Sequence, residues 1–336
     1  MKLTKKKIFI YLGFIVVLFL LWYLKFAKHY PKNIDLNVPS DYWGVTFSTK
    51  ICKEMGLSWK EVYIAMLDDL KVRQIRIPIY WDEIEPRYQE FNFSDYDFIF
   101  DEGAKRNVKF IANVGWRLPR WPECHAPVWA SVKGVNYTKD RTITMLEEVI
   151  NRYKNRGEIV MWQVENEPLL NSFGKCPNGD EEFLKKEVAL VRNLDSKPIL
   201  ITASGELSSW KRESKIGDYF GTTMYRVVWN PFFGYFRYPW PASFYKWKAK
   251  LIGMPLYKMS ISELQAEPWV PNGTLRDILD KQYNKSFDIN QFRANLQYAI
   301  DSDLNKTYLW GAEWWYFRKT QGNSEYWDLA REIFNK

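Results

Sequence analysis

The feature that most constrains this chain is a repeated alternation. Eight short apolar segments, most followed by a helical pattern, recur along residues 42–312. The segments are 42–47, 74–81, 108–114, 158–164, 198–204, 219–225, 256–262 and 306–312. They are rich in Val, Ile, Tyr and Phe, as buried strands are. Between them lie amphipathic stretches such as 141–155, 181–194 and 290–302. Ser58 and Glu61 stand at capping-box spacing before another. Strands alternating with helices build parallel βα units, and eight of them close into a (β/α)8 TIM barrel. The competing open doubly wound sheet carries a Gly-rich phosphate loop after an early strand, and no G-x-G-x-x-G occurs here.

The amino terminus follows a different rule. Ile8–Leu24 is 17 residues without a charge, near the lower limit for a membrane-spanning helix. A secretory signal peptide is the rival reading, but "KFAKHYPKN" after the run offers no convincing small-residue cleavage site. Lys2, Lys5, Lys6 and Lys7 precede the run, which predicts a cytoplasmic tail and an exported remainder. Trp22 and Tyr23 suit the far interface. The expected organisation is a tail and transmembrane signal anchor over 1–28, a linker over 29–40, and one catalytic domain over 41–336. The predicted location is the cell membrane, single-pass, with the domain outside the cytoplasm.

The anchor also accounts for the charge. The chain has 48 basic and 40 acidic residues, and seven of the Lys lie within 1–32, where there is no acid. The rest holds 41 basic against 40 acidic residues. The basic excess is therefore topological, and a nucleic-acid partner is not implied.

Three cysteines and two histidines, without a CxxC pair, argue against a metal site, and no cofactor is expected. An exported domain permits a disulfide. Cys124 and Cys176 both fall in loops after strands and form the expected pair, leaving Cys52 free.

In such a barrel the working end is where the strands finish. Arg76 lies in the second strand. The fourth ends in Glu165, Asn166 and Glu167, and the fifth runs into Glu206. The sixth ends in Tyr225 and Arg226, and Glu263 follows the seventh. The eighth contributes Trp310, with Glu313, Trp314 and Trp315 just beyond. Two carboxyls at opposed strand ends are what glycoside hydrolysis requires. Each acid alone reads more readily as a rim salt bridge or helix cap. Their recurrence at one level of the barrel carries the stronger reading. Aromatics are 18% of the chain, with 17 Trp, many in loops such as "GWRLPRWPECHAPVW". Trp116, Trp121, Trp229, Trp240 and Trp269 are candidate walls for sugar rings, whose C–H faces pack on indole.

"WQVENEP" and "SISELQAEPW" resemble the strand-four Asn-Glu-Pro and strand-seven Glu motifs of clan A glycoside hydrolases. These are retaining barrel enzymes that include the family 5 cellulases and mannanases and the family 39 and 42 β-glycosidases. "RIPIYWDEIEP" and the stretch after it resemble their second and third units, so the likeness spans about residues 40–335. It implies Glu167 as acid/base and Glu263 as nucleophile. It also implies Asn166 on the sugar 2-hydroxyl, Arg76 and Tyr225 at the nucleophile, and a strand-eight Trp, 310 or 314, under the sugar. Glu267 is also followed by Pro and competes with Glu263. Many family 5 members carry a His near strand three and another before the strand-six Tyr, and "ANVGWRLP" and "TTMYRVV" lack both.

The expected protein is therefore a membrane-anchored retaining β-glycoside hydrolase with a poly- or oligosaccharide substrate. A catalytically inactive glycan-binding barrel and a transglycosylase remodelling envelope polysaccharide are the alternatives. One detail is left for the structure. A regular strand would put Glu165 and Glu167 on one face and Asn166 on the other. For Asn166 and Glu167 both to reach the mouth, the strand must stop or bulge near Glu165, and Pro168 suits such a stop.

Overall fold

The computed structural model describes residues 41–335 except 272 and 279, together with 11, 13, 14, 17, 18, 34, 35 and 37–39. The apolar run 8–24 lies outside the described residues apart from five helical positions, and the linker is described only in part. Among the described residues no helix is long and apolar enough to cross a membrane.

Eight parallel strands close into a barrel. They are β1 (Trp43–Thr46), β2 (Gln74–Pro78), β3 (Lys109–Val114), β4 (Ile159–Val164), β5 (Ile199–Ala203), β6 (Tyr219–Met224), β9 (Met259–Gln265) and β10 (Lys306–Trp310). The order around the barrel is β1-β2-β3-β4-β5-β6-β9-β10. Between β6 and β9 the chain makes an antiparallel hairpin, β7 (Val227–Asn230) and β8 (Gly234–Arg237), then a helix, Ser243–Leu251. The Trp, Phe and Tyr run that forms this hairpin has no clear alternation in the sequence.

The outer helices start where their caps dictate. Asp180 accepts from the Glu182 and Phe183 amides at the start of Glu181–Leu194, and Asp288 accepts from the Gln291 amide at Ile289–Asp301. Their apolar faces and the outward faces of the strands form one large core. A smaller cluster joins Ile111, Leu200 and Tyr308. These come from β3, β5 and β10, which are not neighbours, so they meet inside the barrel and plug it.

The seventh barrel strand starts later and ends later than its sequence suggests. Pro255 leads into a short 3-10 turn at Leu256–Lys258, so pairing begins at Met259 and runs through Glu263 to Gln265. Register slips by one residue beside Ser262 against β6, and between Thr307 and Leu309 against β10. Such a bulge re-aims the side chains that follow it, here those of Glu263 and its neighbours.

Candidate active site

Strand β4 stops at Val164, and the backbone then turns left-handed at Glu165 (φ 59°) and Glu167 (φ 44°). Two non-glycine residues so close together in that region mark an over-determined site. Pairing ends before Glu165, so strict alternation no longer governs the next three side chains. Glu165 turns away: it accepts the Trp116 and Arg117 amides at 2.6 and 2.5 Å and so holds the start of the loop after β3. Asn166 and Glu167 turn to the mouth.

A buried polar network fixes them. Arg76, fully buried, spans the lumen. It donates to Gln163 Oε1 at 2.6 Å, Asn166 Oδ1 at 2.7 Å and Glu263 Oε1 at 3.0 Å. Thr202 Oγ1 donates to Asn166 Oδ1 at 3.1 Å and accepts the Glu167 amide at 3.0 Å. Tyr225 Oη donates to Glu263 Oε2 at 2.9 Å. Glu263 thus has a guanidinium on one oxygen and a phenol on the other, which suits a carboxylate.

Glu167 has a different setting. Its Oε1 accepts one hydroxyl, Thr223 Oγ1, at 3.0 Å. Burial, and then the charge of Glu263, push its carboxyl up to about 8, against smaller opposing effects of Arg117 and Thr223. One acid has a donor on each oxygen, one of them a guanidinium, and the other is buried with a single hydroxyl donor and held toward its neutral form. That division is what an acid and a nucleophile require.

Glu267 is occupied elsewhere. Both its oxygens meet the Arg120 guanidinium, and Oε1 also accepts Trp310 Nε1 at 2.8 Å. Arg120 reaches on to Glu313 Oε2 at 3.2 Å. It comes from the loop after β3, whereas Glu267 follows β9, the strand diametrically opposite in the barrel order. The loop 115–127 is therefore a strap across the mouth. Its middle is pinned by the Cys124–Cys176 disulfide to the loop after β4, and Cys52 is free and buried, as the spacing predicts. His125 is part of it, with Nε2 donating to the Arg120 carbonyl at 3.0 Å, and burial lowers its imidazole to about 3.

The aromatic candidates separate. Trp269 packs edge-on to Tyr225 at 5.5 Å and against Phe173 at 5.9 Å, so it borders the tyrosine that bonds Glu263. Trp310 lies at the site, with Arg120 4.0 Å over its ring. Trp116 lines a small cavity with Glu165, Glu187 and the disulfide. Trp314 is a correction: it is fully buried against Tyr283, Phe287 and Tyr326, away from the mouth. It sits in the helix Ala312–Thr320, which turns outward after Gly311. Trp121 is 58% exposed and meets Phe173 edge-on.

The sequence reading missed two residues of the strap, Arg120 and Glu123, and the buried Gln163, Thr202 and Thr223. The signal for the first two was present. Pairing Cys124 with Cys176 already ties that loop to the strand that carries Glu167.

Comparison with known proteins gives the family and agrees with the barrel. The model of the family "Cellulase (glycosyl hydrolase family 5)" matches residues 44–230, more than half of the chain. β-Galactosidase BgaA of Clostridium cellulovorans is 22% identical over 168 residues, covering 44% of this chain and 25% of its own. β-Galactosidase LacZ of Lactobacillus acidophilus is 21% identical over 184 residues, covering 48% and 27%. The matches thus span about a quarter of these curated relatives. Among solved structures, xylanase 10B of Thermotoga petrophila superposes with a TM-score of 0.53 at 13% identity, covering 81% of this chain and 82% of that one. GH5_18 of Streptomyces cattleya gives 0.53 at 11% identity, covering 82% and 71%. At such identities these likenesses speak for the barrel alone. The family match holds although neither "ANVGWRLP" nor "TTMYRVV" carries a histidine.

Proposed function

This chain belongs to glycosyl hydrolase family 5, and from that premise we propose that it hydrolyses a β-linked glycoside with retention, through Glu167 and Glu263. The carrying observation is the asymmetry between the two acids. Glu263 accepts from Arg76 and Tyr225, while Glu167 is buried beside that charge with a single hydroxyl donor.

In the first step a Glu263 oxygen bonds to the anomeric carbon as the bond to the leaving oxygen breaks. Glu167 gives its proton to that oxygen. A glycosyl ester on Glu263 results. In the second step Glu167, now a carboxylate, takes a proton from water, whose oxygen attacks the anomeric carbon. The ester bond breaks, Glu263 returns as a carboxylate, and Glu167 is protonated again. Arg76 and Tyr225 stabilise Glu263 as it departs, and Arg76 also fixes Asn166 beside the sugar.

The curated relatives are named β-galactosidases and one structural neighbour a xylanase, so β-galactosides and xylans head the substrates to try. Half-buried Trp269 and exposed Trp121 favour a sugar chain over a single residue. The stretch 8–24 is proposed as a membrane anchor with the domain outside the cytoplasm. The start of the domain bears on its orientation. Asp41 pairs with Lys306 at 2.6 Å, where β10 begins. The linker therefore joins the end opposite the mouth, and an anchor there leaves the mouth facing away from the bilayer.

The leaving group tests the acid role. Glu167→Ala should lower kcat/KM by about 10²–10⁴-fold on glycosides with poor leaving groups and far less on nitrophenyl glycosides. Equal losses on both contradict it.

A further inference from the structure

A third carboxyl lies in the site. Glu123 is carried on the strap, 5% exposed. Its Oε2 accepts Asn166 Nδ2 at 3.4 Å, a long contact. Burial, and after it the charges of Glu263 and Glu167, raise its carboxyl well above the usual range, while Arg117 opposes them. Arg117 itself donates to the Leu170 and Phe173 carbonyls. Among the described residues, no cation is bonded to the buried Glu123 carboxyl.

The chain builds a seat for this unfavourable placement. Glu123 has φ 73° and Arg120 has φ 83°, both left-handed and neither glycine. The Glu123 amide donates to the Arg120 carbonyl at 2.7 Å, and its own carbonyl accepts the Leu118 amide at 2.8 Å. The next residue is the disulfide's Cys124. Opposite, Gly174 passes so close that a Cβ there would lie 2.8 Å from the Glu123 Cβ. Strain held on several sides, around a buried acid facing the reacting centre, is the pattern of a ligand contact.

We propose that Glu123 is a further substrate-contacting residue, one that binds the 2-hydroxyl of the sugar seated between Glu167 and Glu263. The inference rests on the glycosidase reading of that pair. Both acids must reach the anomeric carbon, and Glu123 bonds Asn166, which precedes Glu167 in the chain and shares Arg76 with Glu263, so its carboxyl lies near that carbon. Of the two atoms flanking it, the ring oxygen has no proton to give. The C2 hydroxyl can donate to a carboxylate or accept from a carboxyl. With Asn166 Nδ2 and Glu123 Oε2 only 3.4 Å apart, one hydroxyl beside the pair can reach both. A strap residue would then read the C2 substituent, and a bulkier group there would meet Glu123.

The test pairs an aryl β-glycoside with its 2-deoxy counterpart, on wild type, Glu123→Ala and Glu123→Gln. Glu123→Ala should lower kcat/KM on the parent about 10- to 100-fold, and on the 2-deoxy substrate by about 2-fold at most. Glu123→Gln keeps a donor and an acceptor and should lose less than the alanine variant on the parent. Thermal unfolding of each variant checks the fold, and the glutamine variant carries the comparison if alanine does not fold. Equal losses on both substrates in a folded variant, or no loss, overturn the proposal while the glycosidase reading stands. No turnover by wild type across β-glucosides, galactosides, mannosides and xylosides overturns both.

Discussion

Arg120 lies with its guanidinium carbon 4.0 Å from the centre of the Trp310 ring, having crossed the barrel from the loop after β3. A cation on an indole face is attracted by the ring quadrupole. Here it also pairs with Glu267 and Glu313, both buried. The Trp310 face that a sugar would use thus carries a guanidinium, and the strap, not the strand-eight ring alone, shapes that side of the site.

Removing the guanidinium leaves two buried carboxyls without their shared cation. Arg120→Ala should destabilise the protein by about 3–5 kcal/mol, read by denaturant unfolding. Arg120→Lys should recover only part, because an ammonium cannot reproduce the forked contact. A change below about 1 kcal/mol in Arg120→Ala would show that the strap is not clamped.

Glu167 sets a pH dependence. Its folded value is about 8 against 4.5 for the ordinary carboxyl. The folded state therefore holds a proton that the unfolded state gives up. Its contribution is complete below about 4.5 and is lost as pH rises through about 8. Glu167→Gln removes that loss, so its stability advantage over wild type should grow from pH 5 to pH 8, to about 2–4 kcal/mol. In wild type the alkaline limb of kcat/KM should fall near pH 8. A stability difference that stays flat with pH contradicts the assignment.

The disulfide closes a 52-residue separation and ties the strap to the loop that carries Glu167. The Cys124→Ser, Cys176→Ser double variant should lose about 2–4 kcal/mol of stability. Its loss of kcat/KM should persist at temperatures where it remains fully folded. Unchanged activity in the folded variant would show that the strap holds its place without the bond.

Much of this was legible in the chain. Alternation alone gave eight strands, because parallel strands buried on both faces read as short apolar runs. Glu167, Glu263, Arg76, Asn166 and Tyr225 follow from asking what each strand ends in. The requirement that β4 stop near Glu165 follows from side-chain alternation and Pro168. The cysteine pair placed the strap's loop near the site, but not the inward aim of Arg120 and Glu123, which depends on left-handed backbone that no periodicity announces. Trp314 was misread for a related reason. The sequence beyond Gly311 does not say which Trp of a new helix faces inward, and packing against Tyr283 and Phe287 decided it.

The most direct test of the account removes the nucleophile and supplies another. Glu263→Gly with an activated aryl β-glycoside should lose nearly all turnover, and added azide should restore it with an α-glycosyl azide as product. Rescue in Glu267→Gly instead, or a β-glycosyl azide from Glu263→Gly, would contradict the assignment of Glu263.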